Sequence, residues 1–81
     1  MELFELIQTL NRAHGPSGDE GEIREVIRAL AETYADEITA DTMGSLIVHR
    51  RGKGPKLLLA AHMDSIGFVV THIEKEGFLR V

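Results

Sequence analysis

The sequence predicts an α/β fold in which two helices precede a series of short strands. In the first 34 residues, apolar side chains recur with the period of an amphipathic helix, whereas short apolar runs typical of strands follow residue 36. One run, residues 57–61, lacks any polar alternation, which indicates a strand buried on both faces. Because such a strand needs a covering layer on each side, the 81 residues predict part of a three-layer domain that is incomplete on its own.

Two amphipathic helices are predicted. The first covers residues 2–13 and is ended by the tripeptide His-Gly-Pro at 14–16. The second should begin near Ser17, because Ser17 and Glu20 have the spacing of a capping box, in which each side chain binds a free backbone N–H of the first turn. The apolar stripes of the two helices consist of Leu3, Leu6, Ile7 and Leu10, and of Ile23, Val26, Ile27, Leu30 and Tyr34.

Five strands are predicted after the helices. In chain order they are residues 38–40, 46–48, 57–61, 66–70 and 78–81. A turn at 42–44 joins the first two strands into a hairpin, and a turn at 75–77 joins the last two in the same way. The chain stops within the last strand pattern, so we expect these residues to be the front portion of a larger protein.

Composition and charge exclude several classes of protein. The absence of cysteine excludes a disulfide scaffold, a cysteine-ligated zinc finger and a thiol catalyst. The net charge of −4 argues against nucleic acid or an anionic membrane as a general partner, because both require a positive field. The amino terminus lacks the basic region of a signal peptide, and no apolar run reaches the roughly 20 residues of a membrane span. We therefore expect a cytoplasmic protein.

The strongest candidate site is His62 with Asp64, directly after the predicted buried strand. Ligands and catalytic groups collect at the carboxyl ends of strands in open α/β sheets. A neutral imidazole at His62 is a suitable zinc or cobalt ligand, and Asp64 can accept its other N–H, which fixes the tautomer and raises the basicity of the ring. From these residues alone, a metal site and a hydrogen-bonded surface pair are equally good interpretations.

The other histidines and the hydroxyl groups have simpler interpretations. His14 follows a helix, where a partly cationic ring suits the helix dipole, and His49 and His72 fit exposed strand positions. The capping box accounts for Ser17, which has no neighbouring base that would make it a nucleophile. Ser65 is expected to be a loop hydroxyl.

Four separated motifs carry a resemblance to a known family. They are Gly-Pro-Ser-Gly at 15–18, Asp-Thr-Met-Gly at 41–44, Leu-Leu-Ala-Ala-His-Met-Asp at 58–64, and Ile-Gly-Phe at 66–68 with Gly-Phe-Leu-Arg at 77–80. In this order and spacing they resemble the amino-terminal part of the glutamyl-aminopeptidase family, which includes the tetrahedral aminopeptidases and the endoglucanase M-like proteins.

This resemblance implies a zinc-peptidase-like domain with two divalent metal ions, zinc or cobalt, that removes amino-terminal residues from peptides. His62 matches the first metal-ligand histidine of the family, and Asp64 matches the catalytic-site aspartate that orients it. Residues 1–65 would be the amino-terminal part of the peptidase domain. Residues 66–81 would begin the passage into an inserted β-barrel domain, through which the family forms dimers that assemble into dodecamers. The remaining ligands and the glutamate base lie downstream in the family, so we expect the 81-residue chain alone to be inactive.

An alternative comes from a different class of protein. An unfinished sheet has unpaired N–H and C=O groups, so the chain could be a non-catalytic module that pairs strands with a second copy or with a separate partner. Metal content and peptidase activity distinguish the two hypotheses, because the enzyme requires both and the association module requires neither.

Overall fold

The computed structural model describes all 81 residues and consists of two helices followed by short antiparallel strands. The elements are α1 (Leu3–Arg12), α2 (Gly21–Ala31), a 3₁₀ turn (Glu32–Tyr34), β1 (Glu37–Ala40), β2 (Leu46–His49), β3 (His72–Ile73) and β4 (Leu79–Arg80). The predicted α/β class and the order of helices before strands are confirmed. The two sheets have two strands each, and the three-layer arrangement stays a prediction. Neither helix has the length and apolar content needed to cross a membrane.

The second helix begins at Gly21 rather than near Ser17, so the predicted capping box is wrong. The residues before the helix form a turn instead, in which the N–H of Asp19 donates to the carbonyl of Pro16 at 2.9 Å. Gly18 has a φ of +92°, which no residue of a right-handed helix adopts and which glycine tolerates best. The Glu20 carboxylate accepts the N–H of Gly18, and the Ser17 hydroxyl turns away from the helix.

The small core lies where the segment between the helices crosses α2. Ile23 is the buried apolar side chain, with 4% of its surface exposed, and the segment residues Gly15 and Pro16 are buried beside it. The N–H of Ile23 donates to the carbonyl of His14 at 3.1 Å, which fixes the crossing. A Cβ atom at Gly15 would lie 2.4 Å from Cγ2 of Ile23, so this crossing requires glycine.

The first predicted hairpin is confirmed. Strands β1 and β2 pair antiparallel from Glu37↔His49 to Ala40↔Leu46. Asp41 closes the turn, because its carbonyl accepts the N–H of Gly44 at 3.0 Å and its carboxylate accepts the N–H of Ser45 at 2.9 Å. The Arg24 guanidinium on α2 donates to the carbonyl of Gly44 at 2.7 Å, which attaches the hairpin to the helix.

Residues 57–61 do not form the predicted buried strand. They belong to no strand, and Leu57, Leu58 and Leu59 are 84–87% exposed. The apolar pattern is that of a central strand, but a strand exists only when neighbouring backbone completes its hydrogen-bond ladder. No other segment of these 81 residues forms backbone hydrogen bonds with residues 57–61.

The second hairpin forms around the predicted turn. Its first strand, β3, is shorter than predicted and begins further along the sequence. The N–H of Gly77 donates to the carbonyl of Glu74 at 3.0 Å, and β3 pairs with β4 as His72↔Arg80 and Ile73↔Leu79. Residues 66–70 are not a strand. In the register set by this turn they would have to pair with positions beyond Val81, so the prediction of a strand at 66–70 is wrong for this chain.

Candidate active site

The loop that carries the candidate residues is held against the segment between the two helices. The N–H of Ser65 donates to the carbonyl of Gly15 at 2.8 Å, and Pro16 and Ser65 form an isolated parallel bridge. Gly67 lies so close to Pro16 that an added Cβ would be 3.0 Å from the proline Cβ. Two segments far apart in the sequence therefore lie side by side, and there is little room for a larger side chain at Gly67.

His62 and Asp64 form a hydrogen-bonded pair within this loop. Nδ1 of His62 lies 3.0 Å from Oδ1 of Asp64 and 3.1 Å from the Asp64 carbonyl oxygen. An ionised carboxylate and a carbonyl only accept hydrogen bonds, so Nδ1 must carry the proton when the ring is neutral. The lone pair then lies on Nε2. Because the His62 side chain is 85% exposed, this nitrogen is accessible to a ligand or a metal ion.

The second oxygen of Asp64 is also engaged. The hydroxyl of Ser17 donates to Oδ2, so the carboxylate links Ser17 to His62. These two contacts hold the pKa of Asp64 below its ordinary value, the Ser17 hydrogen bond having the larger effect and the His62 contact the next, because both favour the ionised form. The carboxylate is half-buried and stays negatively charged at neutral pH.

A cavity of about 420 Å³ opens beside the pair. Its lining combines apolar side chains from α2 and the first hairpin, including Ile27, Met43 and Leu46, with the polar side chains of Glu20 and His62. An apolar cavity with a few polar groups at one side is the usual form of a small-molecule site. The cavity therefore gives the exposed face of His62 room for a bound group.

The donor set accounts for only part of a metal site. These 81 residues contain no cluster of three or more histidine, aspartate or glutamate side chains that could hold a metal ion. Catalytic zinc takes three protein ligands, and the arrangement at His62 supplies one imidazole nitrogen with its supporting carboxylate. The residues present would thus fit one ligand position of such a site and not the full set.

The remaining histidines do not join this site. His14 pairs with Asp19, Nε2 lying 2.7 Å from Oδ2, on the exposed turn before α2. His49 and His72 are exposed on β2 and β3, as their strand positions predict. The hydroxyl of Ser65 makes no hydrogen bond, in agreement with its prediction as a loop hydroxyl.

Ser17 is the residue of this site that the sequence interpretation missed. The capping-box spacing predicts that its hydroxyl binds the first turn of α2, whereas it donates to Asp64, 47 positions away. Gly18 is the sequence feature that argues against a helix cap at Ser17. A glycine directly after the candidate cap residue can adopt a positive φ, which is incompatible with the first turn of a helix.

Comparison with known proteins identifies what this arrangement resembles. Residues 44–81, which include His62 and Asp64, match the family model described as M42 glutamyl aminopeptidase. The predicted resemblance to the glutamyl aminopeptidases is confirmed.

Several named aminopeptidases are similar to nearly the whole chain. The lysyl aminopeptidase of Pyrococcus furiosus is 42% identical over 96% of this chain and 23% of its own length. FrvX of Escherichia coli (strain K12), which is named as a candidate aminopeptidase, is 46% identical over 95% of this chain and 22% of its own length. The glutamyl aminopeptidase of Lactococcus lactis is 33% identical over 100% of this chain and 24% of its own length. The chain thus spans about a quarter of the length of these relatives.

Proposed function

We propose that this chain is the amino-terminal part of a metal-dependent aminopeptidase, in which His62 is a metal ligand and Asp64 orients it. The observation that carries the proposal is the contact between Nδ1 of His62 and Oδ1 of Asp64 at 3.0 Å, which leaves Nε2 accessible beside a cavity. The similarity to named aminopeptidases supports the same reaction class.

In the complete protein His62 holds a metal ion through Nε2, and Asp64 keeps the ring in the correct tautomer and orientation. We propose two divalent ions, zinc or cobalt, which when bound acidify a water molecule and polarise the scissile carbonyl. The remaining ligands and the base that takes the proton come from outside the cluster at His62, because no further ligating side chains gather there. The 81-residue chain alone is therefore expected to be inactive.

The substrates are peptides with a free amino terminus. The relatives include a lysyl and a glutamyl aminopeptidase, whose names indicate different amino-terminal residues, so this proposal does not specify the side chain that is removed. The family resemblance further leads us to propose a cytoplasmic homo-oligomer, built from dimers that assemble into a dodecamer, with no nucleic-acid or membrane partner.

Replacement of His62 tests the proposal. In the complete protein, His62→Ala should abolish release of amino-terminal residues and lower the metal content, because an imidazole ligand is lost. The matched control is His72→Ala, which removes an exposed strand histidine that makes no side-chain hydrogen bond. Both quantities are measured on purified protein, metal by mass spectrometry and turnover with a panel of peptides. Wild-type metal content and turnover in His62→Ala would remove His62 from the site.

The exposed apolar segment favours a second candidate function, that of a strand-pairing module. Residues 57–59 are 84–87% exposed, and the backbone of residues 57–61 makes no hydrogen bonds to other backbone groups. A segment of this kind is a template for strand addition. Light scattering of the 81-residue chain tests this candidate. Concentration-dependent dimers or larger species are expected, and a chain that stays monomeric up to its solubility limit would contradict it.

A further inference from the structure

We infer that Ser17 is a positioning residue of the proposed metal site, its hydroxyl holding the Asp64 carboxylate so that Oδ1 faces His62. The inference rests on the proposed function, because it assigns Ser17 a role in presenting His62 to a metal ion. It concerns a contact between two motifs that are far apart in the sequence.

The carboxylate needs a second partner to keep this orientation. Asp64 is only half-buried, 38% of its side chain being exposed, so water competes for both of its oxygens. Rotation about the last side-chain bond of aspartate is soft, and its two oxygens are chemically equivalent. The Ser17 hydroxyl occupies Oδ2 and thereby directs Oδ1 toward Nδ1 of His62.

The position of Ser17 is fixed by backbone contacts that do not involve its side chain. Gly15 and Pro16, directly before it, are buried, and the carbonyl of Gly15 accepts the N–H of Ser65 at 2.8 Å. The hydroxyl has no competing role at the start of α2, because that helix has no side-chain cap. Removal of the hydroxyl therefore leaves the contact between the two segments in place and frees only the carboxylate.

The test compares three variants of the complete protein. Ser17→Ala removes the hydroxyl, Ser17→Thr retains one, and Ser65→Ala makes the same chemical change next to Asp64 at a hydroxyl that has no partner. For each variant we would measure zinc affinity by competition with a chelator, kcat and KM for amino-terminal residue release, and the thermal unfolding midpoint.

Ser17→Ala is expected to weaken zinc binding on the order of 10-fold, because loss of a residue that supports a metal ligand weakens binding by about 10- to 100-fold. The same variant should lower kcat more than it raises KM. Ser17→Thr should recover most of both losses. Ser65→Ala should match the wild type. The unfolding midpoint of the metal-free protein should fall only slightly in Ser17→Ala, because one exposed hydrogen bond is lost while the backbone contacts persist, and should stay close to the wild type in the other two variants.

Wild-type zinc affinity and kcat in Ser17→Ala would overturn the inference. A Ser17→Thr variant as weak as Ser17→Ala would also overturn it, since the effect would then depend on the shape of residue 17 and not on its hydroxyl. Failure of the proposed function would give a different result from failure of this inference alone, because the wild-type protein itself would then bind no zinc and release no amino-terminal residues. In that case the inference would also be wrong.

Discussion

The side chain of Asp64 is the most highly connected group of the candidate site. One oxygen contacts His62 and the other accepts the hydroxyl of Ser17, and both contacts stabilise the ionised form. In the aminopeptidase that we propose, this charge would fix the imidazole of His62.

Conversion of the carboxylate to an amide tests the charge. Asp64→Asn should leave the fold intact and weaken zinc affinity by about 10- to 100-fold, because the neutral amide supports the ring less well and can turn its N–H₂ group toward it. Chelator competition in the complete protein measures the effect. Asp19→Asn is the control, since Asp19 also contacts a histidine ring, at Nε2 of His14, outside the site. Equal zinc affinities for the two variants would count against an orienting role for Asp64.

The lowered pKa of Asp64 predicts a pH dependence with a definite sign. A carboxyl whose pKa is lower in the folded than in the unfolded state stabilises the fold above its unfolded value, about 3.9 for aspartate. This contribution is lost as the pH falls through the lower, folded pKa. We expect an NMR titration of the Asp64 carboxyl carbon to have its midpoint below the ordinary value, and Ser17→Ala to raise that midpoint. An unchanged midpoint in the variant would show that Ser17 does not determine this pKa.

At the scale of elements, the chain follows its local patterns in both helices and in the β1–β2 hairpin, whose partners are close in sequence. Both helices and the β1–β2 hairpin arise from periodicity and turn residues within short windows, and the sequence predicts them. The start of α2 could not be predicted in this way. Ser17 and Glu20 satisfy the spacing of a capping box, yet the turn at Gly18 and the distant acceptor Asp64 both draw Ser17 away from the helix. A spacing rule contains no information about an acceptor 47 residues away.

The close contact between Gly15 and Ile23, where the segment between the helices crosses α2, predicts that a larger residue at position 15 destabilises the protein. Gly15→Ala places a methyl group 2.4 Å from Cγ2 of Ile23, so the helix or the segment must move. Overpacking of this kind costs about 1 to 3 kcal/mol of unfolding free energy. Urea unfolding of the complete protein measures the loss. Gly52→Ala, where an added Cβ meets nothing within 4 Å, should be nearly neutral. Comparable losses in the two variants would contradict close packing at Gly15.

At the scale of the whole molecule, the chain is extended for its length. Its radius of gyration is 16.5 Å, whereas a compact domain of this size has a value of about 12 Å. Three of the 81 residues are buried. The sequence predicts this deficit, since the apolar run at 57–61 requires layers that the helices and hairpins do not supply. The sequence of the run could not predict that it would lack strand structure, because the hydrogen-bond ladder of a strand depends on backbone outside residues 57–61.

Hydrogen exchange tests whether residues 57–61 become a paired strand in the complete protein. In the 81-residue chain, the amides of residues 57–61 have no backbone acceptor and should exchange at nearly the rate of an unstructured peptide. In the longer aminopeptidase that we propose, the same amides should be strongly protected, because neighbouring strands would pair with them on both sides. Residues 52–54, in an exposed segment outside the helices and strands, serve as the internal control and should exchange quickly in both proteins. Fast exchange of residues 57–61 in the complete protein would mean that this run is a surface segment, and that the loop of His62 is not positioned by a buried strand.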